Sequence, residues 1–486
     1  MKLKELLNSI NVLETNVNLE LNIEEVFYDS RKVTPGSLFV AVTGFAADGN
    51  RFIPMALEKG ASAVVTAKRP TEQIPYILVE NDRLALALIG ANYYGHPVDN
   101  MTLIGITGTN GKTSVTLLLK QLLEKTMGAK VGLIGTMSNL IGDLELPTDR
   151  TTPESIELQG LFARMRDAGC THVVMEVSSH AIALERVGGV QFDVAAFTNL
   201  TEDHLDFHKT MENYCDTKAE LFARCDKAVA NLDDEWFDRM TAKATCNLLT
   251  TSVKQNAGLK AENLQLHADG ISFTAVHDGR SVEVSLPIPG KFTVYNALTV
   301  IGAAMQLGIS LESAADALKT AKGVKGRVEV VPTPGMAYTV LIDYAHTPDG
   351  LENVLSSVRG FCKGRLISVF GCGGDRDPIK RPIMGRIGVE LADIAVITSD
   401  NPRTEEAMAI ISDILRGVSD DMGAYTVIED RRKAIRYAMD IAEKDDIIVL
   451  AGKGHETYQE ICGVKHHLDE REEVAAHLAE LRETHE

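Results

Sequence analysis

The sequence lacks the cysteine patterns of disulfide frameworks and of zinc sites. Its seven cysteines, at positions 170, 215, 225, 246, 362, 372 and 462, form no CxxC pair and no other metal-binding spacing. Their odd number also leaves one thiol unpaired in any disulfide scheme. We therefore expect a reducing compartment, the cytoplasm, as the location of this protein.

The sequence also lacks a long apolar run and an excess of basic residues. No window approaches the ~20 apolar residues that cross a membrane as a helix, and the interrupted apolar segment after the first lysines predicts no signal peptide. The 49 Lys and Arg residues against 68 Asp and Glu residues give a formal net charge of −19. Because like charges repel, this charge disfavours nucleic acid and anionic membranes as partners. An anionic substrate must then bind in a local basic pocket.

What is present is typical of a globular α/β protein. With 486 residues, 45% of them apolar, the chain is too long for one core, and ~3 domains are expected. Residues 1–98 alternate short apolar runs with helix-length segments, which predicts a small α/β domain. Residues 99–325 predict a central parallel sheet with helices, to which the segments ISFTAV and SVEVSLPI add an antiparallel hairpin. Residues 326–486 predict a Rossmann-like parallel sheet.

The last of these domains repeats one arrangement four times. The segments YTVLIDYAHTPDG, RLISVFGCGGDRD, DIAVITSDNPR and DIIVLAGKGHE are each an apolar strand followed by a polar or glycine-rich loop. Parallel sheets bind ligands at the carboxyl ends of their strands, so we expect these loops to form a binding site on one edge. The final segment, EREEVAAHLAELRETHE, predicts an amphipathic helix whose charges face solvent.

A glycine-rich loop, GITGTNGKTS, lies between an apolar strand-like run and a helix-like segment. In such loops the backbone N–H groups and the positive helix end bind phosphate. Gly108 and Gly111 let the backbone approach the ligand, Lys112 reaches the β and γ phosphate oxygens, and Thr113 is a ligand of Mg²⁺. Ile106 stands where the general motif has glycine, which indicates a subclass of these loops. The loop predicts binding of a nucleoside triphosphate with magnesium.

Two further segments of the central domain carry candidate metal ligands. Glu176 ends the apolar run HVVMEV, where a carboxylate can hold the metal that bridges the terminal phosphates. The segment FTNLTEDHLDFHKT adds His204 and His208 in an HxxxH spacing, with Asp203 and Asp206 beside them. This spacing alone is compatible with zinc, but it lacks a third ligand pattern. A magnesium site that uses His204 with Glu176 is the preferred interpretation, with solvated loop charges as the simpler alternative.

Several of these motifs together resemble the Mur ligases, the ATP-dependent amino-acid ligases of peptidoglycan precursor synthesis. The resemblance extends over most of the chain and is carried by GITGTNGKTS, EVSSHA, FTNLTEDHLDFH, YCDTKAELF, YNALTV, GRVEVV, DYAHTPDG and AGKGHE. It implies an acyl-phosphate mechanism that forms ADP and phosphate. It also implies catalytic roles for Lys112, Glu176, His204 and Lys218, the last as a carbamate formed with CO₂.

The resemblance also implies a set of residues for each ligand. Magnesium would be bound by Thr113, Glu176, His204 and carbamylated Lys218. ATP would be bound by Gly108, Thr109, Asn110, Gly111, Lys112, Thr113, Ser114, Asn296, Arg327 and Asp343, with His346 nearby. A UDP-N-acetylmuramoyl dipeptide would be bound by Tyr28, Ser30, Phe45, Ala46, Ala47, Thr151, Thr152, Ser178 and Arg186. The incoming amino acid would be bound by Arg376, Asp400, Asn401, Pro402, Arg403, Gly452 and Glu456.

The resemblance further suggests that the incoming amino acid is meso-diaminopimelate, because the family pattern DNPR accompanies that substrate. Arg403 of this pattern can bind the second carboxylate of diaminopimelate in a two-pronged ion pair, whereas lysine lacks that carboxylate. A buried unpaired arginine would penalise lysine. We expect a monomer with small-molecule substrates. The alternatives are the same ligase adding L-lysine, a folylpolyglutamate synthase with the same GTNGKT loop, or a P-loop switch protein without ligase activity.

Overall fold

The computed structural model describes residues 1–44, 48–419 and 421–485. Their contacts define two compact units, one of Met1–Lys260 with Leu298–Ala314 and the other of Ala261–Ala297 with Ala315–Glu486. Among the described residues, no helix has both the length and the apolar character that crossing a bilayer requires.

The first unit begins with a small sheet in the strand order β1-β5-β4-β3-β2. Its strands are β1 (Val12–Thr15), β2 (Val26–Phe27), β3 (Leu38–Val40), β4 (Ala63–Thr66) and β5 (Tyr76–Val79), and the helices of this segment are α1 (Leu3–Leu6), α2 (Ile53–Glu58) and α3 (Asp82–Tyr93). Helix α3 begins after Asn81, whose side chain accepts hydrogen bonds from the backbone N–H groups of Arg83 and Leu84. This cap fixes Arg83 at the start of the helix.

A larger sheet follows, mostly in the same unit. Its strands are β6 (Thr102–Thr107), β7 (Val131–Ile134), β8 (Asn139–Ile141), β9 (Leu144–Leu146), β10 (His172–Glu176), β11 (Phe192–Phe197), β12 (Cys225–Asn231), β13 (Asn247–Ser252) and β14 (Leu259–His267). The helices are α4 (Lys112–Met127), α5 (Ser155–Asp167), α6 (Ser179–Ala183), α7 (Leu205–His208), α8 (Met211–Ala219), α9 (Phe237–Thr241) and α10 (Lys291–Gln306). Residues 261–267 of strand β14 and residues 291–297 of helix α10 belong to the second unit. Strand β6 lies between β10 and β11 and is parallel to both. Three strand ends therefore meet beside the glycine-rich loop of residues 105–114, named the phosphate loop for its predicted ligand.

The second unit contains the predicted hairpin and a separate mixed sheet. Strands β15 (Gly270–His277) and β16 (Arg280–Leu286) pair antiparallel, which confirms the hairpin. The remaining elements are α11 (Leu311–Leu318), β17 (Glu329–Val331), β18 (Thr339–Asp343), α12 (Pro348–Arg359), β19 (Leu366–Phe370), α13 (Lys380–Glu390), β20 (Ile394–Ile397), α14 (Ala407–Leu415), β21 (Ala424–Val427), α15 (Arg431–Asp440), β22 (Ile447–Ala451), β23 (Tyr458–Ile461), β24 (Val464–His467) and α16 (Glu470–His485).

The four repeated strand-and-loop segments are neighbours in this mixed sheet. Its strand order is β17-β18-β22-β19-β20-β21, and β18, β22, β19 and β20 run parallel. Their carboxyl ends therefore lie on one edge, as the sequence predicts. Apolar side chains fill both faces of the sheet, so the strands are rigid supports for the loops.

The final helix differs from the expectation that its charges face solvent. Glu470, the first residue of α16, is 1% exposed and binds the equally buried Arg431 of α15 at 2.7 Å. Arg431 also donates a hydrogen bond to the carbonyl oxygen of Ala451 at the end of β22. A helix wheel shows which residues share a face, but it cannot show that a buried arginine lies opposite that face.

We predict that Glu470→Ala destabilises the second unit by about 3–5 kcal/mol, because it leaves the Arg431 charge buried without its partner. Hydrogen exchange of the β22 amides measures the free energy of opening. Glu480→Ala is the matched control, since Glu480 forms a partly exposed ion pair with Arg436 and should contribute below about 1 kcal/mol. Equal effects of the two substitutions would contradict this role of the buried pair.

Candidate active site

The phosphate loop joins β6 to α4 and is shaped by two glycines. Gly108 and Gly111 have φ angles of 142° and 85°, a region that favours glycine. A Cβ atom on Gly108 would lie 2.0 Å from Oγ1 of Thr198, so no other residue fits there without rearrangement. Asn110 donates its backbone N–H to the side-chain oxygen of Asn199, which fixes the loop against the end of β11. Contacts with Thr198 and Asn199 thus fix the conformation of the loop.

Two lysines converge on the carbonyl groups of this loop. Nζ of Lys112 donates hydrogen bonds to the carbonyl oxygens of Gly108 at 3.0 Å and Thr109 at 2.7 Å. Nζ of Lys218, a fully buried side chain of α8, donates to the same Gly108 oxygen at 2.8 Å. Burial lowers the pKa of both amines, that of Lys218 well below its ordinary value, and Lys112 lowers it further by repulsion. The loop thus has positive charge to offer an anion and one amine that is readily deprotonated.

Glu176 is the buried carboxylate beside this loop. It ends β10, is 1% exposed, and accepts a hydrogen bond from the Thr113 hydroxyl at 2.9 Å. Thr136 donates to it twice, from its backbone N–H at 2.9 Å and from its hydroxyl at 3.0 Å. The structure therefore brings the predicted pair of Thr113 and Glu176 together. Thr136 was not predicted from the sequence. Its signal was its position just after the apolar strand β7, comparable to that of Glu176 at the end of β10.

The histidines of the predicted metal segment have different surroundings. His204 has a φ of 54° just before α7, and its ring packs at 4.9 Å against the ring of His180. His208 is buried and hydrogen-bonded through Nε2 to the hydroxyl of Ser179, and burial lowers its pKa to about 4. Among the residues that the structure describes, no group of three or more His, Cys, Asp or Glu side chains is placed to hold a metal.

The residues proposed for the muramoyl peptide lie next to Glu176. The Thr152 hydroxyl donates to the backbone oxygen of Glu176 at 2.8 Å, and the Ser178 N–H donates to Oγ1 of Thr152 at 3.2 Å. Arg186 donates to the carbonyl oxygen of Thr152, and the hydroxyl of Thr151 lies 3.1 Å from that of Thr136. These contacts place the predicted substrate residues and the predicted metal ligand in one continuous group.

Of the residues proposed for the uridine end, Tyr28 and Ser30 are described. The Tyr28 hydroxyl donates to Glu157 of α5 at 2.7 Å beside a cavity of about 170 Å³, and Ser30 is buried against Met55. Phe45, Ala46 and Ala47 lie outside the described residues. Tyr28 therefore links the small sheet to α5, which begins after the muramoyl-peptide residues.

The other residues proposed for ATP belong to the second unit. Asn296 is buried on α10, and Asp343 ends β18, where its carboxylate accepts hydrogen bonds from the N–H groups of Val328 and Ala345. Arg327 lies over the ring of Tyr344 at 5.5 Å. Tyr344 also packs against the ring of His346 at 4.7 Å. The sequence analysis missed this aromatic ring, which stands between two predicted residues of the DYAH motif.

The residues proposed for the incoming amino acid converge at the ends of β20 and β22. Asn401 donates to the carboxylate of Glu456 at 3.0 Å. Lys453, a fully buried residue that the sequence analysis missed, donates to Oδ1 of Asn401 at 2.6 Å and lies 3.8 Å from Asp400. A Cβ atom on Gly452 would meet Asp400 at 2.5 Å. Asp400, Asn401 and Glu456 are thus held around one buried ammonium group.

The two predicted arginines flank a glycine of the β19 loop. Arg403, with a φ of 52°, follows the buried Pro402 and donates to the carbonyl oxygen of Gly374 at 2.7 Å. A Cβ atom on Gly373 would lie 3.0 Å from Nη1 of Arg403 and 4.0 Å from Cγ of Arg376. The loops after β19 and β20 therefore bring the guanidinium group of Arg403 and the aliphatic part of Arg376 near one bend of the backbone.

Comparison with known proteins identifies the family. Three family models match successive parts of the chain: "Mur ligase family, catalytic domain" at residues 22–96, "Mur ligase middle domain" at 106–304, and "Mur ligase, glutamate ligase domain" at 326–454. The chain belongs to the Mur ligase family. The resemblance inferred from the sequence is thereby confirmed, and with it the α/β fold class and the assignment as an ATP-dependent ligase.

Individual Mur ligases are similar over nearly the whole chain. A protein of Clostridium tetani named UDP-N-acetylmuramoyl-L-alanyl-D-glutamate--2,6-diaminopimelate ligase is 49% identical, with 99% of this chain and 100% of that protein covered. A protein of the same name from Clostridium botulinum is 50% identical, with coverage of 94% and 96%. A solved structure of a ligase of that name has a TM-score of 0.79 and 32% identity, with 99% of each chain covered.

We predict that this Mur ligase takes up protons when it binds ADP at alkaline pH. Burial lowers the pKa of Lys112 in the free protein, and bound phosphates should raise it, so uptake grows as the pH rises through the lowered value. Titration calorimetry in buffers of different ionisation enthalpy measures the number of protons. Lys112→Arg, which stays charged, should reduce the uptake. Binding heats that are independent of buffer at every pH would contradict the prediction.

Proposed function

We propose that this chain is the ligase that adds meso-2,6-diaminopimelate to the D-glutamate of UDP-N-acetylmuramoyl-L-alanyl-D-glutamate in peptidoglycan precursor synthesis. The names of the two clostridial relatives describe this reaction and support the proposal. The observation that carries the choice of amino acid is the position of Arg403, which donates to Gly374 and forms an ion pair with Glu460 at 3.3 Å, in the same loop as Asp400 and Asn401. One part of this site suits a carboxylate and the other an ammonium, as an amino acid requires.

The reaction needs activation because a free carboxylate is a poor electrophile. The γ-phosphoryl group of ATP passes to the γ-carboxylate of the D-glutamyl residue, which releases ADP and leaves an acyl phosphate. The diaminopimelate amine attacks the acyl carbon, loses a proton, and expels phosphate. Lys112 and the N–H groups of the glycine loop would neutralise the charge that develops on the transferred group.

The residues beside the loop fit magnesium. The Thr113 hydroxyl and the Glu176 carboxylate supply oxygen atoms at one point, and Mg²⁺ prefers oxygen ligands. His204 and carbamylated Lys218 would complete the set. When bound, Mg²⁺ neutralises the charge of the terminal phosphates. Hydrogen bonds from Thr113 and Thr136 orient the Glu176 carboxylate.

We also propose that Lys218 is carbamylated. Its amine is buried and its pKa is lowered well below the ordinary value, so the nucleophilic neutral form that reacts with CO₂ is accessible. A carbamate would replace a buried cation, repelled by Lys112, with an anion attracted to it. The domain boundaries at residues 98/99 and 325/326, the monomeric state and the cytoplasmic location stay proposals as well.

The test of the function is phosphate release from ATP and Mg²⁺ with UDP-N-acetylmuramoyl-L-alanyl-D-glutamate, comparing meso-diaminopimelate with L-lysine. We expect release with diaminopimelate. Arg403→Gln should raise its KM by about 10²-fold, because the carboxylate loses its charge-assisted partner. Arg416→Gln, an exposed arginine near the end of α14, is the control.

Other outcomes of this assay distinguish the alternatives. Release with L-lysine alone would keep the ligase and overturn the role of Arg403. Release that needs no amino acid would favour a P-loop switch. Turnover of a folate substrate instead of the muramoyl dipeptide would identify a folylpolyglutamate synthase.

The carbamate has a separate test. With ¹³C-labelled bicarbonate, we expect one carbamate signal in the ¹³C NMR spectrum of the protein, and Lys218→Gln should abolish it. Lys112→Met should weaken it, because removing the neighbouring charge raises the pKa of Lys218 and takes away the cation that attracts the carbamate. A spectrum without a protein carbamate at alkaline pH would contradict the proposal.

A further inference from the structure

Glu154 is a buried acid surrounded by three arginines. Its side chain is 10% exposed, and its oxygens lie 3.4 Å from Nε of Arg186, 3.5 Å from Nη1 of Arg150 and 3.8 Å from Nη1 of Arg83. Arg83 comes from the start of α3, and Glu154 stands just before α5. Arg186 follows α6. Residues far apart in the sequence are thus brought to one carboxylate.

The charges of this cluster do not balance. One carboxylate faces three guanidinium groups, so about two positive charges remain. Acids beside these residues in the chain have other partners: Glu157 accepts the Tyr28 hydroxyl, Asp82 accepts the hydroxyl and the N–H of Thr43, and Glu185 pairs with Arg224. Arg83 and Arg186 are largely buried, whereas the Arg150 side chain is 48% exposed. Uncompensated charge on the two buried guanidinium groups is unfavourable, and an anion in the cluster would relieve it.

The geometry leaves donors free for such an anion. The three ion pairs are longer than the 2.7–2.9 Å of a close charge-assisted hydrogen bond. Within the described residues, buried Nε of Arg186 makes no hydrogen bond. Burial first, and then Arg150 and Arg83, lower the pKa of Arg186. An anion that entered would find donors already oriented, because Arg83 is fixed by the carbonyl oxygens of Thr43 and Leu184.

The position of the cluster indicates which anion it binds. Arg186 donates to the carbonyl oxygen of Thr152, and the Thr152 hydroxyl donates to the backbone of Glu176 beside the phosphate loop. A group bound here is therefore close to the reacting carboxylate of the proposed substrate. On a D-glutamyl residue the second carboxylate is only three carbons from the first, whereas the diphosphate of the nucleotide is separated from it by the sugar and alanine.

We propose that Arg83, Arg150 and Arg186, positioned by Glu154, form one site for the α-carboxylate of the D-glutamyl residue. The inference rests on the proposed function and adds Arg83, Arg150 and Glu154 to its specificity. Planar guanidinium groups match a carboxylate in two-pronged pairs. Holding the α-carboxylate as an ion pair keeps it from activation and leaves the γ-carboxylate free at the phosphate loop.

The test compares UDP-N-acetylmuramoyl-L-alanyl-D-glutamate with its α-carboxamide, in which D-isoglutamine replaces D-glutamate. Binding of both is measured by calorimetry for the wild type, Arg83→Gln and Arg150→Gln. We expect the wild type to prefer the carboxylate, and each substitution to reduce that preference by roughly tenfold or more. Affinity for the carboxamide should change little, which also shows that the variants are folded. Arg164→Gln, an exposed arginine of α5, is the matched control.

Three results would contradict the inference, and they differ in what else they overturn. Equal loss of affinity for the carboxylate and the carboxamide would show that Arg83 and Arg150 bind another part of the ligand or support the fold, and would overturn the inference alone. An unchanged preference in both variants would overturn it too. Failure of the wild type to bind the dipeptide nucleotide would overturn the proposed function together with the inference.

Discussion

The arrangement of the first unit depends on the buried carboxylate of Glu176. An unpaired charge at this depth would cost several kcal/mol, and three hydrogen bonds from Thr113 and Thr136 compensate it. The backbone oxygen of Glu176 also accepts the Thr152 hydroxyl. The space around the carboxylate is also limited, because a Cβ atom on Gly135 would lie 2.6 Å from Oε1 of Glu176. One residue thus connects the phosphate loop, the end of β7 and the segment that contains Thr152.

The charges around the phosphate loop are poised for an anion. Lys112 and Lys218 both donate to the carbonyl oxygen of Gly108, and burial disfavours the charged form of each amine. The protonated forms of these two amines therefore repel each other and are poorly hydrated, and both effects are unfavourable. A polyphosphate, or a carbamate on Lys218, would remove that penalty. Binding energy and reactivity have the same electrostatic origin here.

The sequence was sufficient for features that are local or that follow from strand ends. The phosphate loop, Glu176 at the end of β10 and the four loops of the second unit depend on short segments and on the rule that parallel strands share an edge. Ile106 can replace the glycine of the general motif because it lies inside β6. The positive φ angles that favour glycine occur at Gly108 and Gly111 instead. The contact of Lys453 with Asn401, the pair of Arg431 with Glu470 and the contact of Arg83 with Glu154 could not be predicted, because the partners are distant in the chain and no motif joins them.

A chain with a net charge of −19 binds anions only if its positive charge is concentrated. Three arginines placed together without an acid would repel each other and displace the loops that carry them. Glu154 counters this repulsion, but its single negative charge cannot neutralise three guanidinium groups. In the second unit the signs are reversed: the single cation of Lys453 contacts Asp400, Asn401 and Glu456. In each cluster one buried charge stabilises the empty site and leaves the excess of opposite sign that attracts a ligand.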